Sequence, residues 1–522
     1  MSAAARHGAH VLLSAAKALG IRVCFANPGT TELALVRALD DVPEIRPVLG
    51  LFEGVCTGAA DGYARVAGTP ALTLLHLGPG LANGLANLHN ARRAHSPIVN
   101  IVGDHATWHL RFDAPLTSDI ESLARPVSGT VIRLDSMASI IPSVNTALAH
   151  AMAPPGSVVT LIAPSDLMEA SAAEMALDSP VAAAPRVAPR AVPPERIAMT
   201  ATRLADRTPA VVLLGNNALT VEGQRAAAQI ASSTGARLVM ESYPALVSMG
   251  EGLPRLERLA YFPNDVLEQL GSATVLLAGA RPPVSYFGYE GQPSELVRPD
   301  RLLELSSPGE DSLLALEQLA ARLSKAGRAE PLMPSGPLAR VPDLTPVEIA
   351  EHLVELIPEG TIVSLEGSTC AGPYLQRAHR SRPHQVMTNT GGAIGQGIPC
   401  AVGAALARPE ARVLCLQSDG GAQYTLQALW TLAREELDVI VVICANHRYG
   451  ILQTELRRAG AQIELPAARR LTRLEPPRLD WVSLARGYGV PAARAKSSAD
   501  FASALRQALA VSGPYLIEAE LA

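Results

Sequence analysis

The chain has 522 residues, enough for two to four domains with their own cores. Its net charge of −5 carries no bias toward nucleic acid or another polyanion. Six cysteines, Cys24, Cys56, Cys370, Cys400, Cys415 and Cys444, are scattered in apolar runs with no CxxC pair, which predicts reduced, buried thiols rather than a disulfide framework. No apolar run approaches the ~20 residues of a membrane helix. No basic segment leads into an apolar core near Met1. The expectation is a cytoplasmic protein that binds neither membrane nor nucleic acid.

In chain order, residues 8–20 place Val11, Leu12, Ala15 and Leu19 on one helical face. A strand at Arg22–Ala26 ends in Asn27-Pro28-Gly29-Thr30-Thr31-Glu32, where Thr30 or Thr31 can cap the next helix. Pro47–Phe52 reads as a second strand that delivers Glu53, and Gly54–Val66, rich in Ala and Gly, as a closely packed helix. The strand Ala71–Leu77 carries His76, and Gly78-Pro79-Gly80 leads into a helix at Leu81–Arg93. Strands at Pro97–Val102, Val131–Leu134 and Val158–Ile162, with a helix from Ser136, complete a βα unit over 1–169.

An Ala- and Pro-rich linker fills 170–194. A second βα unit, 195–324, takes strands Ala210–Leu214, Leu238–Glu241, Val275–Ala278 and Leu302–Leu305 and a helix near Glu222–Ser233. A proline-rich linker, 325–345, precedes a third unit, 346–522. That unit opens with the helix Val347–Leu356 and the strand Thr361–Leu365, runs through Asn389–Ala407, and closes with the helix Trp481–Tyr488 and the strand Tyr515–Glu520. Alternation of this kind predicts an α/β fold of three doubly wound parallel-sheet domains.

The third unit holds the stretch richest in chemistry. Val413–Leu416 reads as a buried strand that ends in Ser418-Asp419-Gly420-Gly421; a helix over Tyr424–Glu436 follows, then a strand at Val439–Cys444 that ends at Asn446. In a parallel sheet those two loops are neighbours, at the edge where ligands bind. A carboxylate and an amide oxygen are hard ligands suited to Mg²⁺, which completes its shell with waters and phosphate oxygens. Gly420 and Gly421 let backbone N–H groups approach a diphosphate closely.

Asp-Gly, a helix, a strand and then Asn resembles the thiamine diphosphate motif, usually written GDG…NN, with twenty-six residues between Asp419 and Asn446. Ser418 stands for the first glycine and Ala445 for the first asparagine. Over its whole length the chain is similar to the decarboxylase and acetolactate synthase family, most of all to benzoylformate decarboxylases. The resemblance implies pyrimidine-binding, middle and diphosphate-binding domains. It implies thiamine diphosphate with Mg²⁺ held by Asp419, Asn446 and the main-chain oxygen of Arg448. Gly420, Gly421, Tyr449, Ser368 and Thr369 would line the diphosphate. In Asn389-Thr390-Gly391-Gly392-Ala393-Ile394-Gly395, the Gly392 oxygen would accept from the 4′-amino group and Ile394 would wedge the two rings apart.

The string LFEGVCTGAADGYAR resembles the family's glutamate motif, which implies that Glu53 exchanges a proton with the aminopyrimidine. A C2 ylid would then attack a 2-oxo acid, and loss of CO₂ would leave an enamine. LLHLGPG resembles the segment whose histidine faces substrate, so His76 is expected to move protons and Thr30 to contact the substrate carboxylate; a lone histidine is otherwise more often structural. Phe287 falls where benzoylformate decarboxylases carry a second histidine. The implied activity is decarboxylation of a 2-oxo acid to an aldehyde. The alternative is an acetolactate synthase-type carboligase, condensing the enamine with a second 2-oxo acid or an aldehyde. FAD, which those synthases usually bind, is not expected, because Gly215-Asn216-Asn217 is no dinucleotide fingerprint. A non-catalytic cofactor-binding regulator would have no use for Glu53. The resemblance also implies a homodimer or homotetramer with active sites at the subunit interface.

Overall fold

The computed structural model describes residues 7–172, 187–205, 209–323 and 341–521. Both expected linkers lie largely outside that range. Three sheets organise the chain. The first holds β1 (Val23–Asn27), β2 (Arg46–Leu49), β3 (Ala71–Leu75), β4 (Ile98–Asp104), β5 (Thr130–Arg133) and β6 (Val158–Pro164), in the order β2-β1-β3-β4-β6-β5, with every pairing parallel. The central strands β3, β4 and β6 are buried throughout, as expected of strands covered by helices on both faces.

The second sheet contains β7 (Ala210–Leu214), β8 (Arg237–Met240), β10 (Glu257–Arg258), β11 (Thr274–Ala278) and β12 (Leu302–Ser306) in the order β10-β8-β7-β11-β12. Between β8 and β10 the chain leaves this sheet. Its segment β9 (Val247–Met249) pairs antiparallel with β14 (His384–Thr388), at the edge of the third sheet. The remaining strands of that sheet are β13 (Ile362–Leu365), β15 (Val413–Ser418), β16 (Val439–Ala445), β17 (Ala492–Ala495) and β18 (Tyr515–Glu520), giving the order β17-β18-β16-β15-β13-β14-β9. The fold class is therefore the expected one, three parallel-sheet α/β units, with one borrowed antiparallel strand. All six cysteines are buried and unpaired. Among the described residues no helix is long and apolar enough to cross a membrane.

Several boundaries differ from the sequence reading. The strand before Glu53 ends at Leu49 rather than Phe52, and the helix begins at Glu53 itself. After β3 the helix starts at Leu77, not Leu81, because Leu77 takes a left-handed φ of 51° that turns the chain out of the sheet. The expected helix over Tyr424–Glu436 is regular only at Ala428–Arg434, while Asp419–Ala422 forms a separate turn of helix.

The first and third sheets share a core. Val55, Cys56, Ala59 and Ala60 of the helix Glu53–Ala67 pack with Ile398, Cys400, Ala401 and Val402 of the helix Gly397–Ala407. The two helices meet backbone to backbone: a Cβ on Gly62 would strike the main-chain oxygen of Cys400, and one on Gly403 that of Ala59. Beside this crossing, Arg65 and Asp61 form a fully buried ion pair. The Arg65 guanidinium also donates to the main-chain oxygens of Thr388 (2.8 Å) and Ala245 (3.3 Å). One side chain thus ties all three units together.

Candidate active site

The third sheet supplies one half of the site. Ser418 of β15 lies opposite Cys444 of β16, so the chain emerges from both strands side by side at Asp419 and Asn446. Asp419 is 1% exposed. Its Oδ1 accepts the Gly420 N–H (2.9 Å) and its Oδ2 the His447 N–H (2.6 Å). Burial raises its pKa above the ordinary carboxylate value, and those two donors work against the rise. Asn446 Oδ1 accepts the Arg448 N–H (3.1 Å), and Asn446 Nδ2 donates to Thr369 Oγ1 (3.0 Å). An antiparallel bridge joins Arg448 to Arg473, but its bonds run through the Tyr449 N–H and the His447 carbonyl. It does not consume the Arg448 oxygen.

Around this pair the chain builds an anion cradle. The helix Ser368–Arg377 starts at Gly367, whose φ of 124° permits contact with Ser418; an added Cβ would lie 3.0 Å from the Ser418 backbone nitrogen. The helix Gly450–Arg458 starts where a Cβ on Gly450 would meet Asn446 Nδ2 at 3.5 Å and Thr369 Oγ1 at 3.9 Å. The positive ends of two helices and the Ser418–Gly421 turn therefore converge, as a diphosphate requires. Tyr449 lies over Gly420, where any Cβ would come within 2.6 Å of its ring. Among the described residues no three His, Cys, Asp or Glu side chains cluster as a metal site. A cation here would draw on the carboxylate, the amide oxygen and main-chain carbonyls, a donor set that fits Mg²⁺ rather than a transition metal.

The loop Asn389–Gly395 lies beside this edge. Asn389 folds it by accepting the Gly392 N–H (2.9 Å) and donating to the Ala393 oxygen (2.8 Å), with Gly392 at φ 79° and Ile394 exposed. Glu366 was not singled out from the sequence. It is buried after β13 and accepts the N–H groups of Gly395 (2.8 Å) and Gly397 (2.6 Å), so it anchors the far end of the loop. Burial raises its pKa. The helix Leu77–Ala94 grips the near end: Asn90 donates to the Ala393 oxygen (2.8 Å), and His89 Nε2 lies 3.1 Å from that of Gly391.

The first sheet supplies a second group of side chains. Glu53 opens its helix and accepts from Asn83 Nδ2 (3.0 Å). Gly80 keeps the approach open, since a Cβ there would be 3.1 Å from Glu53 Oε1 and 3.4 Å from His76 Cβ. Glu53 and His76 thus flank the same helical turn. His76 Nδ1 donates to Glu32 Oε2 (2.7 Å), which also accepts the Gly29 N–H (2.8 Å). Thr31 Oγ1 donates to Glu32 Oε1 (2.7 Å) and lies 3.3 Å from His76 Nδ1. Thr30, by contrast, is exposed, so its neighbour Thr31 is the hydroxyl that reaches His76. Glu32 is wholly buried, in space left by Gly103, where a Cβ would strike its carboxylate. Sequence reasoning missed Glu32; a glutamate at the start of a helix reads as a capping residue. Phe287 is exposed in the middle unit, on a segment whose Tyr289 hydroxyl donates to Glu455 of the helix Gly450–Arg458 (3.0 Å).

With this geometry in place, comparison with known proteins defines the class. Residues 6–123 match the family model "Thiamine pyrophosphate enzyme, N-terminal TPP binding domain", and residues 367–519 match "Thiamine pyrophosphate enzyme, C-terminal TPP binding domain". The chain belongs to the thiamine diphosphate-dependent enzyme family. It is 47% identical, over 98% of each chain, to the Mycobacterium tuberculosis protein named "Putative acetolactate synthase large subunit IlvX". It is 29% identical, over 96% of each chain, to the benzoylformate decarboxylase of Pseudomonas aeruginosa. Among solved structures it resembles the Rhodococcus jostii 4-hydroxybenzoylformate decarboxylase, with a TM-score of 0.85, 25% identity and 99% of each chain covered. The chain is thus a thiamine diphosphate-dependent enzyme, of decarboxylase or acetolactate synthase-like type.

Proposed function

We propose that the enzyme decarboxylates 2-oxo acids, using thiamine diphosphate and Mg²⁺, and releases aldehydes. Thiamine diphosphate, when bound, supplies a carbon nucleophile and an electron sink for the departing carboxylate. In this reading Asp419, Asn446 and the Arg448 carbonyl hold Mg²⁺. Gly420, Gly421, Ser368, Thr369 and Tyr449 surround the diphosphate. The Gly392 carbonyl and Ile394 orient the rings. Glu53 exchanges a proton with the aminopyrimidine. The observation that carries the choice of reaction is His76 held by Glu32 beside Glu53. The buried Glu32 carboxylate keeps a proton on Nδ1, leaving Nε2 to exchange one with substrate. A proton delivered to the product carbon ends the reaction at an aldehyde.

The acetolactate synthase-type reading has its own support in the 47% identical relative and in Phe287 at the position where benzoylformate decarboxylases carry a second histidine. Incubation with benzoylformate and with pyruvate, scoring CO₂ and aldehyde against acyloin and acetolactate, tests the choice. Aldehyde as main product supports the decarboxylase; acetolactate from pyruvate, with little free aldehyde, overturns it.

We further infer a site shared between two copies of the chain. Leu33, Leu51, Trp108, Phe112 and Leu116 are exposed around the edge that bears Glu53 and His76, and Ile394, Tyr424 and Leu452 are exposed on the edge that bears Asp419. Two apolar rims around polar sites suit mutual burial. Within one chain the Leu77–Ala94 helix contacts Glu53 at Asn83 and the Gly392 loop at Asn90, stations about 10 Å apart along the axis. Mixing Glu53→Gln and Asp419→Ala proteins should restore part of the activity once subunits exchange; no recovery despite proven exchange counts against a shared site.

A further inference from the structure

The second sheet carries a polar cavity that the proposed reaction does not use. Its strand order runs one way from β7 through β8 to β10 and the other way through β11 to β12, so β7 and β11 flank the switch point where open α/β sheets bind ligands. A cavity of about 150 Å³ opens there. Glycines make the room: Gly215 follows β7, and a Cβ on it would lie 2.8 Å from the Glu241 carboxyl carbon and from the Gly279 oxygen. Residues of all three units line the cavity, among them Arg93 of the first and Thr390 of the third.

The charge at this cavity is unbalanced. Arg281 and Arg93 both line it, and neither forms an ion pair among the described residues. The Arg281 guanidinium instead donates to His95 Nε2 at 3.1 Å. Burial and that guanidinium push His95 down to about 4, so it is a neutral acceptor near pH 7. Burial holds Glu241 up to about 7, and it supplies only part of a negative charge. The lining is also aromatic: Tyr261 and Tyr286 meet at a tilt of 40° with ring centroids 4.8 Å apart, and Tyr243 meets Tyr286 edge-on at 5.6 Å. A lining that combines guanidinium groups with phenol rings selects a flat ring with one anionic group. The volume suits a benzene-sized ring, not a nucleotide.

We propose that this cavity binds a small aromatic carboxylate at a site separate from the catalytic one. Its occupant would touch Thr390, two residues before Gly392. Thr390 Oγ1 donates to the Asn90 oxygen (2.8 Å) and accepts from Arg65 (3.3 Å). A ligand there bears on the loop that the proposed reaction uses to seat the cofactor, and affinities at the two sites are therefore coupled reciprocally.

Calorimetry on the full chain with benzoate as probe tests the site, by a readout that needs no turnover and so does not fall with the proposed reaction. Benzoate should bind saturably, and Arg281→Gln or Arg93→Gln should weaken it about tenfold or more. Both arginines are exposed, so these variants should keep their melting temperature. His76→Ala should leave the affinity within about twofold, because the catalytic side chains are elsewhere. Saturating benzoate should also shift the dissociation constant of thiamine diphosphate. Absence of binding, equal binding by both arginine variants, loss in His76→Ala, or equal affinity for inorganic phosphate would each overturn the proposal. An unchanged thiamine diphosphate affinity would overturn the coupling.

Discussion

The third-sheet edge around Asp419 and the first-sheet edge around Glu53 are built for different work. At the former the polar groups are tied to the backbone and to one another. Asp419 is clamped by two backbone N–H groups, Asn446 by one N–H and one hydroxyl, and the cradle is made of helix starts that cannot rotate away. On the proposed reading such an edge would take a fixed anion and cation without reorganising. At the latter the polar groups are held by fewer partners. Glu53 is held by a single amide and His76 by Glu32 and Thr31 on its Nδ1 side, with its ring still partly open to solvent. That freedom suits groups that gain and lose protons during a turnover. On the proposed function the difference separates holding from proton movement in space, and it predicts that changes on the two edges fail differently.

The largest effect should come from the holding edge. Asp419→Ala removes the only charged ligand proposed for Mg²⁺ and leaves the diphosphate without its bridge, so Mg²⁺-dependent retention of thiamine diphosphate should be lost outright. Calorimetry that finds unchanged affinity would remove Asp419 from the site. On the proton edge the pattern inverts: His76→Ala should slow turnover by ~10²–10⁴-fold while thiamine diphosphate still binds. A destabilised variant with near-normal turnover per folded molecule would make His76 structural and dissolve the contrast.

The two edges were also unequally legible. Asp419 and Asn446 stand at the ends of consecutive strands in one short stretch, so strand, turn, helix and strand could be read in order, and the parallel pairing followed from the connection. Glu53 and His76 were recognisable by their flanking strings. Glu32 was not, because its partner is 44 positions away, just past the end of β3, and the space for its carboxylate is set by Gly103, on β4. Local pattern carries no record of such a meeting. The borrowed strand Val247–Met249 was hidden for a related reason: three residues show no period, and its partner β14 belongs to another unit. Leu77 was misplaced because an apolar run continues across the strand's end, and only the sign of one φ marks the boundary.

Glu32 gives a finer test of the proton edge. Its carboxylate touches His76 and not the region of Asp419, so it acts as a positioning residue. Glu32→Gln should slow turnover about tenfold, the scale of losing one charge-assisted hydrogen bond. Glu32→Gln combined with His76→Ala should be no slower than His76→Ala alone, because the first change acts only through the second. Additive losses in that double variant would show that Glu32 serves the fold by another route.

The smallest effect asks whether backbone donors, rather than burial alone, decide if a buried carboxylate can carry charge. Asp419 and Glu366 each accept two N–H groups. Glu241, on the second sheet, accepts only a long contact of 3.4 Å from the Arg281 N–H, and burial pushes it up to about 7 from an ordinary 4.5. Between pH 4.5 and 7 the folded protein therefore keeps a proton that the unfolded chain has released. The stability linked to this group is present in full below about 4.5 and is lost as pH rises through about 7. Glutamine fills the same space and cannot ionise. Glu241→Gln should raise Tm by about 2 °C at pH 8 and have little effect at pH 5, read by calorimetric melting at both values. An equal shift at the two pH values would mean that the change acts through packing, and that one long contact to Arg281 serves Glu241 as well as two short ones serve Asp419.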